Sequence, residues 1–321
     1  MPHYSIFGGC LASDIPFPQL RSLPPTTPRW TLRVATTPPD RSAAELIGEH
    51  AVSDTIRLRV SRLAGGFRLH YSDTGTFDIV ADGREITWSP EAGARLEDVR
   101  DCVIGRVFAT ALHASHLFCL HGSAVAVNGR ALAFLAPPFH GKSTLALALA
   151  RDGARLITDD TVVVEPGAIP VVWPGVHSVR LFSDSADRLE RREIPASTGF
   201  TAKHHVSNLP DAQLMFERTT LEAIYLLTPT FDLPTHLASR RTALAGVPAA
   251  VSLLAHLKLG PVLGKSEAPI LMERAVALAD RVPVYRLEIA RDFAQLDAAV
   301  AQLMVWHGDA RPRQQIAASA T

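Results

Sequence analysis

The sequence predicts an α/β protein, with a small, mostly β N-terminal domain at residues 1–95 and a larger domain with a mixed central sheet at residues 96–308. Three observations predict this order. The first region contains runs that alternate polar and apolar residues, which is typical of half-buried strands. From residue 96 the apolar residues recur with the period of a helix. Further on, strand-like runs alternate with helical segments, and the polar residues 309–321 are expected to be a disordered tail.

The strands of the first region are the most regular in its second half. Residues 56–60, 66–71 and 76–80 alternate cleanly. Asp82-Gly83 then predicts a tight hairpin into residues 85–88. We expect an antiparallel sheet with one polar face, which would serve packing or partner recognition.

Composition narrows the class of protein. Hydrophobic residues make up 47 % of the 321 residues, and the formal net charge is +0. A neutral chain has no general attraction to nucleic acid or to an anionic membrane, and no apolar run reaches the roughly 18 residues that span a bilayer. The N-terminus lacks the pattern of a signal peptide, and three widely spaced cysteines favour a reducing compartment. We therefore expect a cytoplasmic protein without nucleic-acid or membrane partners, and formation of a homo-oligomer stays open.

A phosphate-binding motif occupies residues 136–143, which have the form Ala-x4-Gly-Lys-Ser. It follows the apolar residues 131–135, a predicted buried strand, and leads into residues 145–150, which favour a helix. Backbone N–H groups at such a helix start face a phosphate, and the helix dipole favours its negative charge. Lys142 would reach the terminal phosphates of a nucleotide, and Ser143 would place its hydroxyl on Mg²⁺.

Polar residues on both sides of this motif extend the prediction. Asn128-Gly129 between two apolar runs predicts a hairpin, so two adjacent strands lead into the loop, with His121 at the start of the first. Asp159 and Asp160 end a short predicted strand after the helix. Mg²⁺ coordination and a catalytic base would be needed at this position in a phosphoryl-transfer site.

The remaining predicted elements complete the second domain. They are a strand pair at 171–175 and 178–182, a strand at 221–227, helices near 242–258 and 267–281, a last strand at 284–289 and a helix at 293–306.

Taken in order, the His-Gly pair at 121–122, the loop at 141–143 and the Asp-Asp pair at 159–160 resemble the catalytic domain of HPr kinase/phosphorylase. Members of that family are phosphate-loop kinases of PEP carboxykinase-like fold. Their Asp-Asp pair lies about sixteen residues past the loop serine. Here Ser143 and Asp159 are sixteen residues apart. The resemblance is specific over residues 115–182.

The whole chain is similar to HPr-kinase-related proteins of bacterial peptide-modification clusters. Residues 11–18, 82–86 and 282–287 all look like segments of that group. Some members, in lasso-peptide clusters, phosphorylate a serine near the C-terminus of the precursor peptide. The resemblance therefore implies a serine kinase that uses ATP and Mg²⁺, with a peptide or protein substrate that carries a serine.

The resemblance also implies a role for each matching residue. Asp159 would be the general base, Asp160 would hold Mg²⁺ together with Ser143, and His121 would orient the base; the opposite assignment of the two aspartates stays open. Lys142 would neutralise charge during the transfer. The residues that would contact the nucleotide are Ala136, His140, Gly141, Lys142, Ser143, Thr144 and Arg180.

The loop departs from the usual pattern. Ala136 and Phe139 replace glycines, and Pro137 and Pro138 remove two backbone donors. His140 could supply a compensating donor. The alternatives are a kinase of an HPr-like protein or of a small-molecule hydroxyl, and a non-catalytic module that binds a nucleotide or a peptide.

Overall fold

The structure is a computed structural model. It describes residues 1–37, 44–177, 179–182, 203–206, 209–234, 237–260, 262–263 and 267–308. These residues form a mixed α/β molecule with two large mixed sheets and a two-stranded sheet. The three cysteines are free thiols, and no helix in these ranges is long and apolar enough to cross a membrane. The predicted tail lies outside the described residues.

The first sheet is built from the predicted β domain, in the order β3-β1-β2-β4-β9-β8-β7-β6-β5. Asp82-Gly83 connects β8 to its antiparallel neighbour β9, which confirms the hairpin. The sequence had suggested an antiparallel sheet. The sheet is instead mixed, because β4 pairs in parallel with both β2 and β9. Parallel neighbours need a crossover rather than a tight turn, and no turn signal marks them. The strands are β1 (His3–Ile6), β2 (Gly9–Ser13), β3 (Ser22–Leu23), β4 (Trp30–Val34), β5 (Glu45–Ala51), β6 (Arg57–Leu63), β7 (Gly66–Tyr71), β8 (Gly75–Val80) and β9 (Glu85–Pro90).

A helical segment covers the buried face of this sheet. It consists of α1 (Leu96–Cys102), a π-helical turn (Val103–Val107) and α2 (Phe108–Ala114). Val99 and Phe108 are fully buried in one core with Trp30 and Phe77 of the sheet. The sequence-based division assigns this segment to the second domain, whereas its core belongs mainly to the first sheet; the domain boundary at residue 95 stays a prediction.

The second sheet has the order β10-β14-β15-β18-β12-β11-β13, with β20 beside β18 and β19 beside β20. β18 is parallel to both β12 and β20, and the other pairs are antiparallel. The Asn128-Gly129 hairpin between β11 and β12 is confirmed. The strands after β9 are β10 (Phe118–Leu120), β11 (Gly122–Val127), β12 (Arg130–Leu135), β13 (Arg155–Thr158), β14 (Val162–Glu165), β15 (Val171–Trp173), β16 (Val179–Phe182), β17 (Lys203–Val206), β18 (Thr219–Thr230), β19 (Ser239–Leu244) and β20 (Val284–Ala290).

Helices pack on both faces of the second sheet. They are α3 (Lys142–Arg151), α4 (Gly246–Ala255), α5 (Ala268–Ala279) and α6 (Leu296–Gly308). Side chains of β12 alternate between two cores: Leu132 and Phe134 face the core of α3 and α6, while Ala133 and Leu135 face that of α4 and α5. A central strand that is buried on both faces explains why the run before the loop is continuously apolar.

Candidate active site

The phosphate loop connects the end of β12 to the start of α3. The amide of Leu145 donates to the carbonyl of Gly141 at 2.8 Å, and this is the first α-helical hydrogen bond of α3. The amides of residues 142–144 therefore precede the helical ladder and are directed out of its N-terminal end. Gly141 has φ 80°, a left-handed conformation that glycine adopts without strain. Amides at a helix N-terminus favour an anion.

Three of the four departures from the usual motif, Pro137, Pro138 and Phe139, form the exposed rim of this loop, whereas Ala136 is buried. Phe139 is 64 % exposed and has φ 67°, which is unfavourable for a side chain of its size. His140 Nδ1 donates to the Pro138 carbonyl at 2.8 Å. This contact fixes the ring, and its Nε2 can donate to a phosphate only when the imidazole is protonated.

Lys142 is held beneath the loop. Only 7 % of the surface of Lys142 is exposed, and its Nζ donates to the carbonyls of Ala136 at 2.8 Å and Pro137 at 3.1 Å. These carbonyls keep the ammonium beside the helix N-terminus, where it adds to the positive potential for phosphate.

Asp159 connects the phosphate loop to the sheet. It is 6 % exposed, and its Oδ1 accepts hydrogen bonds from Ser143 Oγ at 2.9 Å and Ser123 Oγ at 2.5 Å. Ser123 belongs to β11 and was not identified from the sequence. Hydroxyl and carboxylate oxygens are the ligands that Mg²⁺ prefers, so Ser143 and Asp159 together suit this metal.

Asp160 lies in a strained turn that follows β13. The Thr161 amide donates to the Asp159 carbonyl at 2.9 Å, and this bond encloses Asp160 at φ 72°. A positive φ at a non-glycine residue costs on the order of 1–3 kcal/mol and is often found at functional sites.

Two basic side chains face Asp160. Lys258 Nζ lies 2.5 Å from Oδ2, and His121 Nδ1 lies 3.4 Å from Oδ1. The enclosure of the carboxyl by protein would raise its pKa, but Lys258 and then His121 hold the pKa well below its usual range. The Asp160 side chain is 37 % accessible. A lowered pKa is nevertheless what two basic partners at this distance require, so the carboxyl is ionised at neutral pH.

The segment that carries Lys258 runs along the edge of β10. Lys258 donates its amide to the Cys119 carbonyl at 3.0 Å, and the His121 amide donates to the His256 carbonyl at 2.7 Å. Burial lowers the pKa of His256, and the nearby ammonium of Lys142 lowers it further. No motif in the sequence marks residues 256–258, which follow an ordinary helix.

The structure thus brings together five residues that the sequence singled out. They come from three separate places in the chain: the β10–β11 junction, the start of α3 and the turn after β13. Thr144 lies in the first turn of α3, and Ala136 supplies a carbonyl to Lys142. The side chain of Arg180 lies outside the described residues, so its role stays a prediction. The five residues are His121, Lys142, Ser143, Asp159 and Asp160.

A cavity of about 290 Å³ opens beside the two aspartates. Asp159, Asp160 and Thr161 form one wall, and α1 and loops of the first sheet form the other. The chain is closely packed where the two sheets meet: a Cβ added at Gly175 would overlap Thr158 Oγ1 and touch Phe7. The turn that carries Asp159 and Asp160 is therefore positioned by packing against the first sheet.

Comparison with known proteins gives limited similarity. No protein-family model and no curated protein matches the chain. Among solved structures, the Hpr(Ser) kinase/phosphatase from Coxiella burnetii is 12 % identical, with 59 % of this chain and 95 % of that chain covered and a TM-score of 0.31. This similarity is distant, so the function has to follow from the geometry of the site itself.

Proposed function

We propose that this protein is an ATP- and Mg²⁺-dependent kinase that transfers the γ-phosphate to a serine hydroxyl of a peptide. The observation that carries the proposal is the 2.9 Å contact between Ser143 and Asp159 at the N-terminal end of α3, beside Lys142. In phosphate-loop enzymes the loop serine and a carboxylate at a strand end share Mg²⁺. A lasso-type precursor peptide as acceptor rests on the sequence resemblance alone.

The described residues fit ATP and Mg²⁺. The amides of residues 142–144 and the Lys142 ammonium offer donors to phosphate oxygens, while Ser143 and Asp159 offer oxygens to the metal. Bound Mg²⁺ would neutralise the charge that develops on the phosphates. No described group of three or more His, Cys, Asp or Glu side chains could hold a metal. A site in which nucleotide oxygens complete the coordination does not need such a group.

The geometry favours a division of labour between the aspartates that is the reverse of the one the resemblance implies. Asp159 contacts the loop serine, which is the metal side of such a site. Asp160 is more accessible and lies beside His121, so it is the better candidate for the base. The acceptor hydroxyl would give its proton to Asp160 as its oxygen bonds to the γ-phosphorus, and the bond from that phosphorus to the bridging oxygen of ADP would break.

Two matched variants test the proposal. Asp160→Asn should keep the affinity for ATP with Mg²⁺ and lower the transfer rate by roughly 10²–10⁴-fold, because a general base is lost. Asp159→Asn should instead raise the Mg²⁺ concentration needed for nucleotide binding. Titration calorimetry measures binding, and labelled ATP measures transfer. If Asp159→Asn lowers the transfer rate and Asp160→Asn raises the Mg²⁺ requirement instead, Asp159 is the base.

A nucleotide-binding module without transfer is the second candidate, favoured by the exposed Phe139 and the two loop prolines. ATP binding that is lost in Lys142→Ala, with no transfer to any serine peptide, would support it. If the wild-type protein does not bind ATP with Mg²⁺ at all, both candidates fail.

A further inference from the structure

We infer that the first sheet positions Lys258 against Asp160, and that Gly48 of β5 is the positioning residue through which it acts. The inference rests on the proposed function where it concerns the transfer rate, since Asp160 is the base of that proposal. Lys258 Nζ lies 2.5 Å from Asp160 Oδ2 and 3.3 Å from the backbone carbonyl of the same residue. These contacts hold Asp160 in place only if the segment that carries Lys258 keeps its own place.

The chain next to Lys258 belongs to the core of the first sheet, although it follows a helix of the second sheet. Leu259 is 3 % exposed and Val262 is 1 % exposed, and both pack in the core that the first sheet forms with α1 and α2. The amides of Val262 and Leu263 each donate to the Leu259 carbonyl at 2.9 Å. A displacement of Val262 is therefore transmitted to Leu259, the residue directly after Lys258.

Gly48 lies against the backbone of Val262. A Cβ added at Gly48 would lie 2.1 Å from the Val262 carbonyl oxygen and 2.8 Å from its carbonyl carbon. The φ of Gly48 is outside the left-handed range, so glycine is needed here for the close approach of two backbones and not for its conformational freedom. Gly48 also pairs with Val60 of β6, which is buried in the same core. A side chain at Gly48 is therefore expected to displace Val262, because no rotamer change can move backbone atoms away.

A second contact attaches the chain further along to the same part of the molecule. At the start of α5, Glu267 Oε2 lies 2.9 Å from Nε2 of His113 on α2, and its other oxygen contacts Arg62 of β6. The Glu267 side chain is only 13 % exposed, and contacts of this kind are the stronger hydrogen bonds. The described chain between α4 and α5 is thus attached to the first sheet and its helix at Val262 and Glu267, and to the site at Lys258.

Hydrogen exchange tests the attachment without any nucleotide. The Lys258 amide, which donates to the Cys119 carbonyl at 3.0 Å, reports on the segment. In Gly48→Ala, mass spectrometry should show about tenfold faster exchange in peptides that contain Lys258, with unchanged exchange in β18 and β20. Gly65→Ala is the matched control. Gly65 lies in the β6–β7 turn of the same sheet, its φ is outside the left-handed range, and an added Cβ meets no described atom within 4 Å.

Transfer rates separate a positioning role from a merely structural one. Gly48→Ala should lower kcat about tenfold, because a misplaced base slows the reaction. The affinity for ATP with Mg²⁺ should stay, because the phosphate loop has its own contacts. In the Lys258→Met background the same substitution should change kcat by less than about twofold, since its route to Asp160 is already lost. Loss of stability alone would lower the melting temperature and the active fraction equally in both backgrounds.

Val262→Ala keeps the inference testable if Gly48→Ala does not fold. It takes two methyl groups from the core of the first sheet without an overlap, so the segment loses part of its attachment. Exchange at Lys258 should rise and kcat should fall in this variant, each by about threefold.

The outcomes separate this inference from the proposed function. The inference is wrong if exchange at Lys258 is unchanged in Gly48→Ala and Val262→Ala, if exchange rises while kcat stays, or if kcat falls equally in both backgrounds. If the wild-type protein transfers no phosphate, the proposed function fails instead. Hydrogen exchange alone then decides whether the first sheet holds Lys258 in place.

Discussion

Lys258 is the first of the two neighbours that keep Asp160 ionised, and His121 is the second. The ammonium of Lys258 lies 2.5 Å from the carboxylate and 3.3 Å from the backbone carbonyl of Asp160. Without this partner, enclosure by protein, which raises the pKa of the carboxyl, would be opposed mainly by His121, so the pKa would rise from its value in the wild-type protein. Lys258 is thus a positioning residue that keeps a candidate base ionised.

Removal of this charge should move the acid limb of the pH–rate profile. In Lys258→Met the pKa of Asp160 rises, so the carboxylate becomes protonated at a higher pH, and transfer should decline at a higher pH than in the wild-type protein. Lys258→Arg keeps the charge and should keep the wild-type profile. Transfer rates with labelled ATP between pH 4 and pH 8 measure the acid limb in both variants and in the wild-type protein. An unchanged acid limb in the methionine variant would show that Asp160 is not the titrating group.

Residues of the site differ in how far the sequence reveals them. Lys142, Ser143 and Asp159 could be found because their spacing along the chain reflects one strand–loop–helix–strand unit, which is a local pattern. Ser123 and Lys258 could not be found in this way. Each reaches its aspartate only through the tertiary fold, across 36 and 98 residues of chain, and an isolated serine or lysine carries no signal of its own.

At the scale of elements, local turns were predictable and distant pairings were not. The hairpins at Asp82-Gly83 and Asn128-Gly129 are confirmed, because the turn residues fix the register of their own strands. Strands are present at both places where the pair 171–175 and 178–182 was expected, but they do not pair with each other. β15 pairs with β14 and β18, and β16 pairs with β17. The short loop between the two runs suggested a hairpin, whereas Pro174 and Gly175 pack against the first sheet instead.

The phosphate loop offers a test at this scale. Phe139→Gly should tighten ATP binding several-fold, because glycine adopts the positive φ freely and lets the backbone approach the phosphate. Stability should change by less than about 1 kcal/mol, since relief of the left-handed strain is offset by the greater entropy of glycine in the unfolded chain. Phe231→Gly replaces another highly exposed phenylalanine and serves as the control. Calorimetric titration measures the affinity, and weaker binding in Phe139→Gly would show that the ring itself contacts the nucleotide.

At the scale of the whole molecule, the two sheets are joined by shared packing. Val163 and Trp173 of the second sheet belong to the same core as α1 and α2. Periodicity predicted a helical segment from residue 96 to about residue 119, and helix is found at 96–114. Periodicity did not predict the side of the molecule on which this segment packs. An apolar stripe shows that a surface is buried, and only the assembled fold shows which surface covers it.

Buried histidines give the whole molecule a pH-dependent stability. Burial is the largest cause of a lowered pKa in each of five rings. The unfolded chain therefore binds more protons than the folded one below the ordinary pKa of about 6.5, and the free energy of unfolding should fall as the pH decreases through that value. The five are His50, His113, His177, His256 and His307.

Urea unfolding at pH 7.5 and pH 6.0 measures this dependence. His307→Gln provides the comparison, because glutamine can still bond to Tyr225 or Glu222, the two partners of the ring, but does not titrate. The difference between the two pH values should be smaller in this variant. Equal stability of the wild-type protein at both pH values would contradict the expectation.

The parallel pairing of β12 also bears on how the protein is made. β12 carries the phosphate loop, and the register that pairs Leu135 with Leu226 joins it to a strand much later in the chain. Contacts between distant segments form slowly, and a chain that folds during synthesis must wait for the later strand to emerge. All strands of the first sheet precede residue 91, so their pairing can begin much earlier. The candidate site at the loop after β12 is therefore expected to form among the last parts of the nascent protein, after the first sheet has paired.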